Sequence, residues 1–167
     1  KVIVDCTGEG DIASRAGAPW EYVDRKTVQP HTISFTMDGV DWEKVLDYVH
    51  NNPDQLMWFE HVLPHWSDER KEEAHQKALE FYKTCDDPAM FGEMMGFFKF
   101  RDEALPKGDW HPYSGVGFFL TPREGGHIQA HMQHSSQVPE ILTDDAWDLT
   151  KGEIQCRRQN AMAVEFF

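Results

Sequence analysis

A glycine-rich turn near the start of the chain holds the residues whose types and spacing could do chemistry. Residues 1–5 are mostly apolar and β-branched, and they predict a short buried strand. Residues 8–10, Gly-Glu-Gly, predict a tight turn, and residues 11–17 predict a short helix. A strand, turn and helix in this order place backbone N–H groups near a phosphate or a sugar-like hydroxyl chain. Asp11, at the start of the helix, can accept hydrogen bonds from such hydroxyls.

On pattern alone, this turn allows two further interpretations. Residues 8–13 satisfy the relaxed dinucleotide fingerprint GxGxx[GA], which would fit a nicotinamide-dependent Rossmann enzyme whose first strand starts at Val2. That fold needs a second, parallel strand that ends in an acid about 20 residues after the turn. Residues 19–29 are instead a polar crossing, and residues 31–37 alternate like a half-exposed strand. The other interpretation is a non-catalytic α+β module that binds a ligand or partner and in which the turn is purely structural.

A second candidate site lies on a predicted strand at residues 127–133. Apolar side chains alternate there with a polar set made of His127, Gln129, His131 and Gln133. Histidines at i and i+4 on a strand are about 13 Å apart, too far to bind one ion, so we expect no metal site. The polar side is either solvated or lines a substrate cavity, where a histidine could relay a proton. We therefore take His131 and Gln129 as candidate catalytic residues, together with His31 on the predicted strand at residues 31–37.

Two segments resemble a known family. Residues 5–11, Asp-Cys-Thr-Gly-Glu-Gly-Asp, followed by Ala13 and by Ala-Gly-Ala at 16–18, resemble the DATGDGD…A…AGA segment of FAD-dependent oxidoreductases of the glutathione-reductase-like superfamily. Residues 29–35, Gln-Pro-His-Thr-Ile-Ser-Phe, resemble the Gln-Pro-x-Thr-hydrophobic-x-Phe strand of the same family. Both segments lie at the expected separation. Cys6 replaces the usual alanine, and Glu9 replaces the usual aspartate.

The resemblance implies an FAD cofactor and hydride transfer between an organic substrate and the flavin. It implies that Thr7, Gly8, Glu9 and Gly10 lie against the FAD, with Asp11 near its ribityl or pyrophosphate part. It also implies an internal fragment, in which residues 1–18 are a remnant of the FAD-binding domain and residues 19–167 are most of a substrate domain. The main phosphate-binding fingerprint would then precede the chain and the segment that closes over the flavin would follow it. The fragment alone would be inactive, and its partners would be a small-molecule substrate and the remainder of the parent chain.

The elements that must position these residues are those of an α+β fold. Four segments predict strands: 31–37, 97–100, 116–120 and 127–133. A hairpin loop at residues 122–126 joins the last two, and Asp41, Ser67 and Thr143 each open a helix. We therefore expect a mostly antiparallel sheet with helices packed on it, together with the short strand, turn and helix at the start.

Charge and composition exclude several classes of partner. The formal net charge of −13 repels a phosphate backbone, which argues against nucleic acid and anionic membranes. No apolar run approaches the roughly 20 residues that a membrane-spanning helix needs. The three cysteines are far apart and form neither a CxxC pair nor a zinc pattern. This pattern favours a reducing, cytoplasmic setting.

Overall fold

The computed structural model describes residues 2–56, 65–92, 94–113 and 115–166. Within these residues the helices are α1 (Asp11–Arg15), α2 (Trp42–Asn51), α3 (Asp68–Thr84), α4 (Phe98–Ala104) and α5 (Ala146–Phe166). The strands are β1 (Phe35–Met37), β2 (Met94–Gly96), β3 (Val116–Pro122) and β4 (Ile128–Met132). No helix in these ranges is long and apolar enough to cross a membrane.

The four strands form one antiparallel sheet in the order β1-β4-β3-β2. The hairpin of β3 and β4 is at its centre, with Phe118 opposite Met132 and Leu120 opposite Ala130. The predicted α+β class and the hairpin are thereby confirmed. Because β1 pairs antiparallel with β4, the described residues 2–40 contain no parallel strand where a nicotinamide-binding Rossmann unit would need one. That interpretation of the glycine-rich turn is wrong.

One face of the sheet is dry. Val116 and Phe118 on β3 are fully buried, and Ala130 and Met132 on β4 are 1% exposed. Leu46 and Val49 of α2 join them in the main core, together with Ala163 of α5. Completely burying one side chain the size of Phe118 stabilises the fold by about 2–3 kcal/mol. The helices are therefore held against this face of the sheet.

Two predicted helix starts are confirmed by their capping bonds. The Asp41 carboxylate accepts a hydrogen bond from the Lys44 N–H at 3.2 Å. The Ser67 hydroxyl accepts one from the Arg70 N–H at 3.3 Å. The third predicted start, at Thr143, is three residues early, because α5 begins at Ala146. The Asp145 carboxylate accepts the Trp147 N–H at 2.8 Å and therefore caps this helix.

Two strand predictions are wrong. Residues 2–5 are irregular, and Val2, Ile3 and Val4 are 90%, 80% and 76% exposed. A β-strand is stable only beside a hydrogen-bonded neighbour, and no described segment pairs with these residues. The apolar run at 97–100 is not a strand either, because Phe97 has a left-handed backbone, with φ of 53°, that ends β2 and starts α4. The strand predicted at 31–37 is shorter than expected, since only Phe35–Met37 form β1.

Helix α5 docks very closely on the segment that precedes β1. Gly152 faces His31, and a Cβ at this glycine would stand 3.0 Å from the His31 ring and 3.3 Å from Ile141. Further along the helix, Asn160 donates to the Ile33 carbonyl at 3.1 Å. Gln159 accepts from the Gln137 N–H at 2.7 Å and donates to the carbonyl of the same residue at 3.1 Å. Of these contacts, the one at Gly152 is the closest approach of the helix to this segment, and it requires a glycine.

This contact predicts a large penalty for a side chain at Gly152. We expect Gly152→Val to lower the free energy of unfolding by about 1–3 kcal/mol, because the buried interface has no room for it. Gly92→Val is the control, since a Cβ at Gly92 meets no atom within 4 Å. Urea denaturation followed by circular dichroism measures both variants, and equal losses would contradict the packing described.

Candidate functional site

The glycine-rich turn is organised by one carboxylate. Asp5 accepts hydrogen bonds from the Thr7 N–H at 3.0 Å and the Thr7 hydroxyl at 2.7 Å through one oxygen. Its other oxygen accepts the Ala13 N–H at 2.8 Å. The Thr7 oxygen accepts the Asp11 N–H at 2.8 Å. Asp5 and Thr7 together cap α1, whose own N-cap residue, Gly10, has no side chain to do so.

These donors stabilise the charged form of Asp5. The hydrogen bond from the Ala13 N–H is the main cause of a pKa below the usual value, and the two bonds from Thr7 add to it. The first turn of α1 is therefore held by an ionised carboxylate that lies several residues upstream in the chain. The sequence pattern gave no role to Asp5, because it was assigned to the end of a strand.

Gly8 and Gly10 are required because of their backbone conformation. Their φ angles are 84° and 73°, a left-handed conformation that residues with a side chain rarely adopt. In addition, a Cβ at either glycine would meet no atom within 4 Å, so open space lies beside both. In the described structure the N–H groups of residues 8–10 have no hydrogen-bond partner. The turn therefore has unused backbone donors, and open space lies beside its two glycines.

A groove of about 330 Å³ adjoins this turn. Its walls are the start of α1, the segment 18–23 and the loop that precedes α5, and they include Gly10, Asp11, Trp20, Tyr22, Thr143 and Asp144. The Tyr22 hydroxyl donates to the Asp144 carboxylate across the groove, and this bond raises the pKa of Tyr22. Arg25 pairs with Asp148 and donates to the Glu140 carbonyl, the latter at 2.9 Å. These bonds attach the polar crossing between the turn and the sheet to the start of α5.

The structure brings the predicted cofactor residues Thr7, Gly8, Glu9, Gly10 and Asp11 together in this one turn. These residues differ in which of their side-chain groups remain available to bind a ligand. The Thr7 hydroxyl already donates to Asp5 and accepts from Asp11. The carboxylates of Glu9 and Asp11 both line the groove and make no hydrogen bond or ion pair within the described residues. They are free to accept hydrogen bonds from a ligand.

The predicted catalytic residues do not all lie together. Gln129 and His131 are on the face of the sheet opposite the dry core. We call this surface the polar face and define it by its half-buried or exposed side chains, Thr36, Phe119, Thr121, Gln129 and His131. His131 Nδ1 is 3.2 Å from the Thr36 hydroxyl, and Gln129 Oε1 accepts the Arg123 Nε–H at 2.8 Å.

His31 is elsewhere, in the contact with α5. Its ring lies against Gly152, and its backbone forms an antiparallel bridge with Val138. Its carbonyl accepts a hydrogen bond from the Cys156 thiol, with sulfur and oxygen 3.5 Å apart. The structure therefore separates His31 from His131, although both were candidates for the same chemistry.

A buried histidine was not singled out by the sequence. His111 is 5% exposed, stacks on Trp110 with ring centroids 5.1 Å apart, and has Nε2 2.7 Å from the Ser135 carbonyl oxygen. Burial lowers the pKa of His111, so the neutral ring donates to this carbonyl at neutral pH. A lone histidine outside any motif gives no signal that would have found it. In the part of the chain that the structure describes, no cluster of three or more His, Cys, Asp or Glu residues could hold a metal ion.

Comparison with known proteins identifies the family. The model of the family described as FAD dependent oxidoreductase matches residues 1–167, the whole of the chain. The chain belongs to this family. The resemblance seen in residues 5–11 and 29–35 is thus confirmed at the level of the family. No curated protein and no solved structure matches the chain.

The residues of the turn fit one part of FAD better than the rest. Open space and unused N–H groups at residues 8–10 allow close approach of a ligand. The carboxylates of Glu9 and Asp11 can accept hydrogen bonds from ribityl or ribose hydroxyls, but like charge makes them poor neighbours of a pyrophosphate. Among the described residues, no lysine or arginine lines the groove to offset this repulsion.

The capping role of Asp5 predicts a pH-dependent turn. Because the pKa of Asp5 is lower in the folded state than the usual value near 3.9, its stabilisation is complete above that value. It is lost as the pH falls through the folded pKa. We expect Asp5→Asn to reduce protection of the Ala13 amide from hydrogen exchange at neutral pH, as acid does in the wild type. Asp11→Asn is the control, because it removes a charge from the same helix end, where the Asp11 side chain makes no hydrogen bond within the described residues. This variant should leave Ala13 protected.

Proposed function

We propose that this chain provides a cofactor-contacting turn and the substrate domain of an FAD-dependent oxidoreductase. The enzyme passes a hydride between an organic substrate and the flavin. The observation that carries the proposal is the turn at residues 7–11, where the N–H groups of residues 8–10 make no hydrogen bond within the described residues and Glu9, Gly10 and Asp11 line an open groove. The match of the family to the whole chain supports it.

In this proposal the turn binds the cofactor and the polar face binds the substrate. FAD, when bound, accepts or gives the hydride. Glu9 and Asp11 hold hydroxyl groups of the cofactor, and the N–H groups of residues 8–10 bind its neighbouring oxygens. His131, oriented by Thr36, exchanges a proton with the substrate on the polar face, and Gln129 helps to orient the substrate. His31 has no part in this proposal, because its ring packs against α5.

The first 18 residues act as part of a separate FAD-binding domain in this proposal. No described residue among 2–18 is buried, whereas the sheet and its helices share a continuous core. Val2, Ile3 and Val4 are 76–90% exposed. Burying three such side chains against the remainder of the parent protein would stabilise the complex by roughly 4–9 kcal/mol. We also propose that the parent protein belongs to the glutathione-reductase-like superfamily of these enzymes.

A second candidate is a binding module without catalysis. The hydrogen bonds of Asp5 and Thr7 explain the conformation of the turn without a ligand, and the left-handed φ angles explain its glycines. The two candidates differ in one measurable property, which is whether the turn contacts FAD.

The matched pair Gly10→Ala and Gly17→Ala tests the proposal. Both glycines have positive φ angles, 73° and 88°, and both have open space beside them, so the two variants carry similar backbone strain. We expect Gly10→Ala to weaken FAD binding at least tenfold and Gly17→Ala to leave it nearly unchanged. Quenching of flavin fluorescence measures the affinity, in the 167-residue chain and in the longer parent protein.

We also expect the parent to bind FAD much more tightly than the chain alone, since the proposal places the main phosphate site outside these residues. Equal affinities for FAD in the Gly10 and Gly17 variants would favour the binding module. A parent protein that fails to bind FAD at all would reject the proposed function.

A further inference from the structure

We propose that the polar face of the sheet binds the carboxylate of a small organic acid through Arg123. The inference rests on the proposed function in one respect, since it takes this face as the substrate side of the enzyme. It adds the chemical class of the substrate and the residue that recognises it.

The first observation is how Arg123 is held. Its Nε–H donates to Gln129 Oε1 at 2.8 Å, and its backbone N–H donates to the His127 carbonyl at 2.8 Å. The first bond orients the side chain at the hairpin end of the polar face, and the second holds the backbone of Arg123 in the hairpin. The terminal NH₂ groups of the guanidinium have no partner within the described residues. They are the two parallel donors that match a carboxylate.

The second observation is that a neutral group holds this arginine. Arg25, Arg101 and Arg157 each pair with a carboxylate. Arg123 is held by an amide, so its positive charge is not neutralised although the chain has a net charge of −13. Asp38, the residue after β1, makes no ion pair with Arg123 within the described residues, and its carboxylate accepts the Gly39 N–H at 2.9 Å.

The third observation is the spacing between Arg123 and His131. Gln129 and His131 are two residues apart on one face of β4, so their Cα atoms are separated by about 7 Å. In the proposed complex, a small acid bound to the guanidinium beside Gln129 spans this separation. The carbon next to its carboxylate, with a hydroxyl or keto oxygen on that carbon, then lies near the His131 ring. Phe119, opposite His131 on β3, provides an apolar surface beside them.

These three observations define a substrate of stated chemistry. It has a carboxylate for Arg123 and an oxidisable or reducible polar carbon one or two bonds away, as in a hydroxy or keto acid. Gln129 acts as a positioning residue, because it reaches the substrate only through Arg123.

NMR titration of the 167-residue chain with lactate tests the proposal, with lactamide as the neutral probe of the same shape and with the ionic strength held constant. We expect lactate, but not lactamide, to shift the Arg123 Nε–H and His131 ring signals saturably. Arg123→Gln should weaken lactate binding about tenfold or more, because a charge-assisted bidentate pair is lost. The control, Arg158→Gln, removes an exposed arginine of α5 and should not change lactate binding.

Absence of a saturable shift, or equal lactate affinity in the two arginine variants, would overturn the proposal. Binding of FAD is measured on the parent protein, so that the two proposals fail separately. Lactate binding by the chain, with a parent protein that does not bind FAD, would retain the anion site and reject the cofactor role. FAD binding by the parent protein, with no lactate binding by the chain, would reject the anion site and retain the cofactor role. Thermal unfolding of each variant shows whether a loss of binding is a loss of fold.

Discussion

The two-residue period of β4 decides which side chains lie on each face of the sheet. Every second side chain, Ile128, Ala130 and Met132, enters the dry core, and the helices collect on that side of the sheet. The remaining positions, Gln129 and His131, must therefore face away from the core. A slip of one residue would bury His131 and expose Met132, so the packing of the core also fixes the composition of the polar face.

Features with a short-range cause could be predicted from the sequence. The alternation in β4, the hairpin and the caps Asp41 and Ser67 all arise from residues close together in the chain, and the structure has them. The strand predicted at residues 1–5 failed because a strand depends on a partner, which no local pattern reveals. The run 97–100 failed because the left-handed Phe97 turns the chain within an apolar stretch.

The candidate site was predicted only in part, because some of its contacts join residues that are far apart in the sequence. The position of the turn and its glycines follow from a local motif. The anchoring of that turn by Asp5 joins residues eight apart, and Arg123 meets Gln129 only once the hairpin has formed. The bonds of Tyr22 and Arg25 to Asp144 and Asp148 join residues more than 120 apart. Such pairings exist only after folding, so residue spacing does not disclose them.

The attachment of the polar crossing to the start of α5 has a mechanical consequence. Residues 19–28 are the covalent arm between the turn and the sheet, and Tyr22 and Arg25 pin this arm at two points to the residues around the first turn of α5. The arm is therefore attached to a 21-residue helix that is itself held in place, because Gly152, Cys156, Gln159 and Ala163 are buried along it. The position of the turn relative to the sheet is thus coupled to the packing of α5, and a change that loosens α5 would also loosen the turn.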